Sequence, residues 1–367
     1  LSGFVATGLL VLAGAGTAYQ LATAVVARRR PAALPLLASE PAVTILKPLH
    51  GSEPRLATNL ATFLAQDYGA EVQVVCGVQD PKDPAIDAVA GLPVDLVVDA
   101  TRHGSNAKVS NLINMMAAAK HDVLVLSDSD MVAPSGYLSQ VVATLAEPGV
   151  GVVTCFYTGR GDAGFWSRLA ALAIEAGFLP SGLYASRLGL AQPCMGSTIA
   201  LTRETLARIG GLDPVADVLA DDYALGEAVV ALGLRVAVAP PILVHACTEA
   251  SLGELAAHEL RWNITVFRVA PWGFAGLGLL NPVPVALLAV LAAPGPGAAM
   301  LVLALAARLV VAIAVVPLPR AAPLWWQPLR DVLSFGLFLA TFFGQSVDWR
   351  GARLRVSRDG RVTDKGR

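Results

Sequence analysis

Residues 3–27, GFVATGLLVLAGAGTAYQLATAVVA, contain no charged side chain. A helix needs about 20 apolar residues to cross the hydrocarbon of a bilayer, so this run is long enough to span one. Arg28, Arg29 and Arg30 follow at once. A cleaved signal peptide carries its charge ahead of a shorter apolar run, so residues 1–30 are expected to form a retained transmembrane anchor. Clustered arginines stay on the cytoplasmic side, and the stretch after them is expected there too. Apolar runs return at 274–293, 298–316 and 331–347, and PGPG at 294–297 reads as a tight turn between the first two. If all three crossed, the basic tail at 348–367 would lie outside, against the same charge tendency. The short third run is therefore read as a re-entrant or interfacial helix, or as an exception to the rule. Residues 274–347 as a whole are expected to form C-terminal transmembrane or re-entrant helices.

The chain is 55% hydrophobic and 15% charged, and this apolar excess is concentrated in the two ends. Soluble domains carry about 25% charged residues. The net charge of -1 supplies no global field for nucleic acid, and no basic patch interleaved with aromatics is visible. Nucleic acid is not an expected partner. Cys76, Cys155, Cys194 and Cys247 are far apart in apolar surroundings, which reads as reduced, buried thiols rather than a zinc or disulfide framework.

Between the apolar ends the pattern alternates. Strands are expected at 42–48, 71–78, 94–99 and 122–127, with helices at 54–66, 83–91 and about 108–119. Such alternation predicts an α/β domain, a mostly parallel Rossmann-like sheet flanked by helices. Its strands read as continuous apolar runs, as strands buried on both faces do. Ligands of open parallel sheets bind beyond the carboxyl ends of the strands. Lys47 and Pro48 stand at the first such end, Gln79 and Asp80 at the second, and Asp128 and Asp130 at the fourth.

Four clusters carry candidate chemistry. The D-x-D pair Asp128 and Asp130 follows an apolar strand and can hold Mg2+ or Mn2+ through oxygen ligands, or form a solvated turn. Asp221 and Asp222 precede a helical pattern, as an N-cap or as a source of a general base. In HELRW (258–262), Arg261 can pair with phosphate and Trp262 can wall a sugar or lipid site, or the segment is a basic juxtamembrane helix. In HGSNAKVSNLINM (103–115), Asn106 and Lys108 can contact a nucleotide or sugar, or serve a turn and helix cap.

The ordered motifs VQDPKDPAID (78–87), NAKVSNL (106–112), DSD (128–130), ADDYALG (220–226) and HELRW resemble the ceramide glucosyltransferase family of membrane glycosyltransferases. Apolar segments flank the domain in that family as they do here. The resemblance implies a glycosyltransferase A fold over 41–270, acting on a UDP-sugar donor. It implies that Asp80 contacts uridine, that Asp128 lies near nucleotide and metal, and that Asp130 ligates the divalent cation. Lys47, Asn106 and Lys108 join the nucleotide-sugar site. Asp222 matches the catalytic base, and Arg261 and Trp262 match the end of the family's Q-x-x-R-W motif. His258 stands where Gln or Arg is usual, and its charge varies with pH. Within the family, HGSNAKVSNLINM, GVVTCFYTGR (151–160) and HELRW are most similar to bacterial hopanoid-associated glycosyltransferases.

That branch implies transfer of N-acetylglucosamine to a bacteriohopanoid polyol at a bacterial inner membrane, with the catalytic domain cytoplasmic. The ceramide branch implies transfer of glucose to ceramide. A base with no second glycosyl-accepting carboxylate implies inversion at the anomeric carbon. The acceptor must reach the site from lipid, and residues 164–190 are expected to lie in the membrane surface as an interfacial helix pair broken near Pro180. A processive polysaccharide synthase is a more distant alternative, and it would need more membrane helices to form a polymer channel.

Overall fold

The computed structural model describes residues 2–29, 31–316 and 319–344, and the backbone of 346–349, 352–356 and 362–364. Ten strands form its catalytic-size domain: β1 Val43–Pro48, β2 Val72–Val78, β3 Asp95–Val98, β4 Val123–Leu126, β5 Met131–Val132, β6 Val150–Thr154, β7 Tyr157–Gly161, β8 Ile199–Thr202, β9 Arg235–Val238 and β10 Leu243–Cys247. Seven make one sheet in the order β3-β2-β1-β4-β8-β6-β9. β1, β2, β3 and β4 are mutually parallel, whereas β8 runs antiparallel to both β4 and β6. β1 and β4 are buried along their whole length; β4 is wholly apolar, and β1 carries Thr44 and Lys47 within its apolar run. Val43, Ile45 and Val125 pack with Leu60, Phe63 and Tyr137 on one face, and Leu46, Leu124 and Leu126 with Leu112 and Met115 on the other. Each fully buried side chain of this size contributes roughly 1.5–3 kcal/mol. All four cysteines are free and buried.

A second sheet, in the order β5-β10-β7, stands at the end of the first. Its register sets the site. β5 begins one residue after Asp130, and Met131 pairs with His245 across the antiparallel β5–β10 ladder. The Ala246 N–H donates to the Asp130 carbonyl at 2.9 Å. A histidine from late in the chain is thereby fixed beside the D-x-D turn.

Among the described residues three helices are long and apolar enough to cross a membrane: Gly3–Ala27, Phe165–Arg187 and Pro294–Val315. The N-terminal helix has about 37 Å of length at 1.5 Å per residue, more than the roughly 30 Å of hydrocarbon. The segments Pro271–Leu280 and Pro282–Ala292 pass the same test only as a pair bent by 65°. The PGPG stretch is not a turn: it forms the first turn of helix Pro294–Val315, and the break falls at Ala293. Proline suits that position because an N–H at the start of a helix has no intrahelical partner. Nor is 164–190 a pair of helices. Phe165–Ala173, a π-helical turn Ile174–Phe178 and Leu179–Arg187 run on as one rod. The π turn sits immediately before Pro180 and accommodates the N–H that proline lacks. Helix Gln327–Thr341 is about 22 Å long, short for a span, and it buries Arg330 and Asp331. Arg30 and half of the tail expected at 348–367 lie outside the described residues, which include three short antiparallel strands, β11 Ser346–Trp349, β12 Ala352–Val356 and β13 Val362–Asp364.

The membrane-type helices meet the domain at one apolar cluster. Ala24 and Ala27, Val311 and Val315, and Leu179 and Leu183 pack there with Phe156 and Met195. Met195 immediately precedes Gly196, which the site uses directly.

Candidate active site

The D-x-D turn begins where β4 ends. Below it lies Lys47, whose Nζ donates to Ser127 Oγ at 2.9 Å and to the Asp128 carbonyl at 2.8 Å. Lys47 is 1% exposed and its ammonium stands 3.3 Å over the Phe63 ring. Burial lowers its pKa to about 7 despite the nearby Asp128 and Asp130 charges. Lys47 therefore supports the turn from beneath rather than facing an open cleft.

Gly196 ties the two acidic motifs together. The Asp128 N–H donates to its carbonyl at 3.0 Å, and its own N–H donates to Asp222 Oδ2 at 2.9 Å. A Cβ at Gly196 would sit 2.5 Å from Asp128 Oδ2 and 3.0 Å from Lys108 Nζ. Only glycine lets the backbone pass this close. Lys108 then bridges Asp128 Oδ1 at 2.8 Å and Asp221 Oδ2 at 3.3 Å. It reaches them from the first turn of helix Ala107–Met115, which Asn106 caps by accepting the Val109 N–H. The Asn106 amide also donates to the Val218 carbonyl at 2.7 Å and to Asp221 Oδ1 at 3.3 Å. Fully buried, Asn106 holds the 216–221 loop against this helix.

The ionisation pattern follows from this packing. Burial, then the neighbouring Asp221 charge, raises Asp222 to about 6, and Lys108 partly opposes the rise. Lys108 is buried too, but the charges of Asp128, Asp221 and Asp222 outweigh the cost and raise its pKa. Burial raises Asp128, against the opposing pull of Lys108. Burial also works against an ionised Asp130, yet the charge and hydrogen bond of His245 lower it to about 2. One cluster thus holds one strongly ionised carboxylate and one poised near neutrality, the separation that distinguishes charge stabilisers from general bases.

His245 Nε2 lies 3.1 Å from Asp130 Oδ2. The other carboxylate oxygen, Asp130 Oδ1, is buried with no hydrogen-bond partner. An unpartnered carboxylate oxygen suits a divalent ion that takes its other ligands from phosphate and water. Among the described residues no three His, Cys, Asp or Glu side chains converge on one metal position. Asp128 is turned to Lys108 instead, with about a third of its side chain open, 33%.

The HELRW turn lies on helix Leu252–Val269, which Ser251 caps by accepting the Glu254 N–H. His258 Nδ1 pairs with Glu249 Oε1 at 2.5 Å, and its ring lies 4.2 Å from that of Trp262. Trp262 in turn stands 5.8 Å from His245, edge to face. The motif therefore meets Asp130 through His245. Arg261 is half-buried in the same turn. Asp80 stands apart: at the end of β2, on the same edge of the sheet, it is exposed, and its Oδ1 accepts the Lys82 N–H at 2.8 Å within its own turn.

Two residues of this site carry no signal in the motifs. His245 sits within the apolar PILVHAC, where it reads as a core residue. Tyr157 was inside GVVTCFYTGR without a role. Its ring stacks on Phe178 at 4.6 Å and lies 5.7 Å from His245. Burial raises its hydroxyl, and the Asp222, Asp128 and Asp130 charges around it add to the rise. The phenol therefore stays protonated and keeps an O–H to donate.

A mostly parallel sheet with one antiparallel strand, a D-x-D turn at its carboxyl edge and a small second sheet define the glycosyltransferase A fold. A mannosyltransferase from Pyrobaculum calidifontis, solved in complex with GDP-Man and Mn2+, shares it with a TM-score of 0.55 at 24% identity, over 94% of this chain and 98% of that one. The family model described as glycosyl transferase family 21 matches residues 7–362, and the chain belongs to that family. Ceramide glucosyltransferase 1 of Caenorhabditis elegans is 23% identical over 206 residues, 54% of this chain and 44% of that protein. Ceramide glucosyltransferase of Candida albicans is 31% identical over 121 residues, 28% of this chain and 22% of that protein. The matches thus span less than half the length of these curated relatives.

Proposed function

We propose that the protein is an inverting hexosyltransferase that moves one sugar from a UDP donor to a hydroxyl of a membrane lipid. The observation that carries this reading is the convergence on Gly196: Asp128 and Asp222, 94 positions apart in sequence, bond to one glycine. The membrane-type helices pack against Met195, its immediate neighbour. A base, an acidic turn and a lipid-facing element thus share one place in the fold.

In this reading Asp222 accepts the proton of the incoming hydroxyl. The Gly196 N–H fixes its carboxylate, and Lys108 places a permanent positive charge beside it. Asp130 would hold a divalent cation, Mg2+ or Mn2+, through its unpartnered Oδ1, while His245 keeps the carboxylate ionised and oriented from its other oxygen. Such an ion supplies Lewis-acid stabilisation of a departing diphosphate. Arg261 adds a guanidinium for the same oxygens, Trp262 and Tyr157 wall the sugar, and Asp80 at its exposed turn meets the uracil ring. Residues 1–30 anchor the chain, 41–270 catalyse, and 274–347 return to the bilayer, with the site on the cytoplasmic face of a bacterial inner membrane.

N-acetylglucosamine and a bacteriohopanoid polyol are the donor sugar and acceptor that the motifs HGSNAKVSNLINM, GVVTCFYTGR and HELRW support. Glucose and ceramide form the second reading, and the names of the matched relatives favour it. Purified protein incubated with UDP-glucose and UDP-N-acetylglucosamine, each against ceramide and bacteriohopanetetrol, separates the two. Mass spectrometry of the lipids is expected to show a single added sugar on one acceptor. A ladder of products would point to a polymerising synthase instead.

A further inference from the structure

Helix Gln327–Thr341 carries two opposite charges side by side, Arg330 and Asp331, at 1% and 3% exposure. Successive residues of an α-helix point about 100° apart, so the two side chains meet different neighbours. Arg330 bonds through Nη2 to Glu259 Oε2, inside the His258–Trp262 turn. Asp331 takes the Arg308 guanidinium in a two-pronged bond, Nε to Oδ2 at 3.0 Å and Nη2 to Oδ1 at 2.7 Å. Gln327, one turn earlier, donates to the same Asp331 Oδ1 at 2.7 Å.

Arg308 continues the chain of contacts. Its Nη1 donates at 2.6 Å to the carbonyl of Ala176 and lies 3.3 Å from Gln20 Oε1 on the N-terminal helix. Ala176 is four residues before Pro180, so its carbonyl is the one for which proline leaves no i+4 donor. Within apolar helix bundles such freed groups are satisfied from neighbouring helices. One guanidinium therefore repairs the proline defect in helix Phe165–Arg187, grips the N-terminal helix, and is itself held by Asp331. The adjoining apolar contacts run the same way: Leu333 and Leu337 pack with Leu255, Leu260 and Trp262.

We propose that Arg330 and Asp331 are positioning residues, a two-sided clamp that sets the His258–Trp262 turn against the three membrane-type helices. The proposal rests on the glycosyltransferase reading for its consequence, and on the contacts above for its geometry. Neither residue touches substrate; each acts through a helix that carries site residues. Charged pairs this buried are poor sources of net stability, because desolvation offsets their attraction, yet breaking one side leaves an uncompensated charge. Their use here is to fix one register among many that apolar packing alone would allow. Arg330 Nε and Nη1 are buried without partners, so its orientation depends on Glu259.

The test uses the full chain in detergent or nanodiscs. The paired variant Glu259→Gln with Arg330→Met removes both charges together, so it avoids a stranded ion and is expected to fold. The single variant Asp331→Asn leaves the buried Arg308 guanidinium without its compensating charge. Hydrogen exchange of residues 252–269 reads the geometry without any need for turnover. Faster exchange of this segment is expected in the paired variant and in Asp331→Asn. Turnover per folded molecule then reads the consequence. A misplaced catalytic group costs about 10- to 100-fold, so kcat should fall by that order while KM for the donor changes little. If exchange over 252–269 and kcat both match the wild type, the clamp is refuted. If exchange responds but no UDP-sugar is turned over even by the wild type, the clamp stands and the glycosyltransferase reading falls.

Discussion

Replacing Asp222 by Asn changes one heavy atom and removes a carboxyl that burial and Asp221 raise to about 6. Asn keeps one oxygen for the Gly196 N–H, whose bond to Asp222 is 2.9 Å, and gives up the one that accepts the Tyr223 N–H at 2.8 Å, so an unchanged Tm is the control for the fold. Loss of a positioned general base costs about 10²- to 10⁴-fold in rate. The wild-type pH profile should carry the signature of the same group. With the Asp222 carboxyl raised to about 6, roughly nine-tenths is ionised at pH 7 and about one-tenth at pH 5. Sugar transfer should therefore drop about tenfold between those values, as the base becomes protonated. An aspartate at an ordinary 3.8 would still be roughly nine-tenths ionised at pH 5 and would show no such limb. UDP release, followed from pH 4.5 to 8 under saturating donor, measures both effects. A rate that stays level down to pH 5, or an Asp222→Asn variant within tenfold of the wild type, would refute the assignment of the base.

Three further outcomes follow from the same contacts. Lys108→Met removes the charge that lowers Asp222, so the acid limb of the pH profile should move to higher pH, and an unmoved limb would contradict the bridge. His245→Ala should raise the Mn2+ concentration needed for half-maximal rate by at least tenfold, because Asp130 loses its neighbour at 3.1 Å; an unchanged metal titration would remove His245 from the site. Gly159→Ala would place a Cβ 2.5 Å from the Ala171 backbone, where β7 packs on helix Phe165–Ala173. Overpacking of this kind costs about 1–3 kcal/mol, visible as a lower Tm, and an unshifted melt would mean the two elements separate freely.

Much of the fold could be read from the chain itself. The first four strands sit within a residue or two of the runs that predict them; β1, β2 and β4 are buried and read as mainly apolar, whereas the edge strand β3 is mostly exposed. The second half was harder. β8 is four residues long and antiparallel, and nothing in IALT distinguishes it from its neighbours. Of the candidate site, Asp128 and Asp130 stand out because they follow directly on a buried apolar strand, whereas Asp222 at a helix start is favourable in its own right and gains its weight from the family motif. His245 does not stand out, since its role comes from β5–β10 pairing across more than a hundred residues. Lys47 and Asn106 were legible as polar groups at the right edge, but burial makes one a prop for the D-x-D turn and the other a helix cap. At Pro180 and at PGPG local rules mislead in opposite directions. A π turn carries a helix through the first, and the second opens a helix rather than reversing the chain.

Calorimetric titration of UDP into the purified protein, with and without Mn2+, tests the central claim most directly. The account predicts Mn2+-dependent binding that Asp130→Asn weakens at least tenfold and Asp222→Asn leaves nearly intact, because one carboxylate serves the donor and the other the acceptor. Equal affinity in all three proteins, or no binding to any of them, would contradict it.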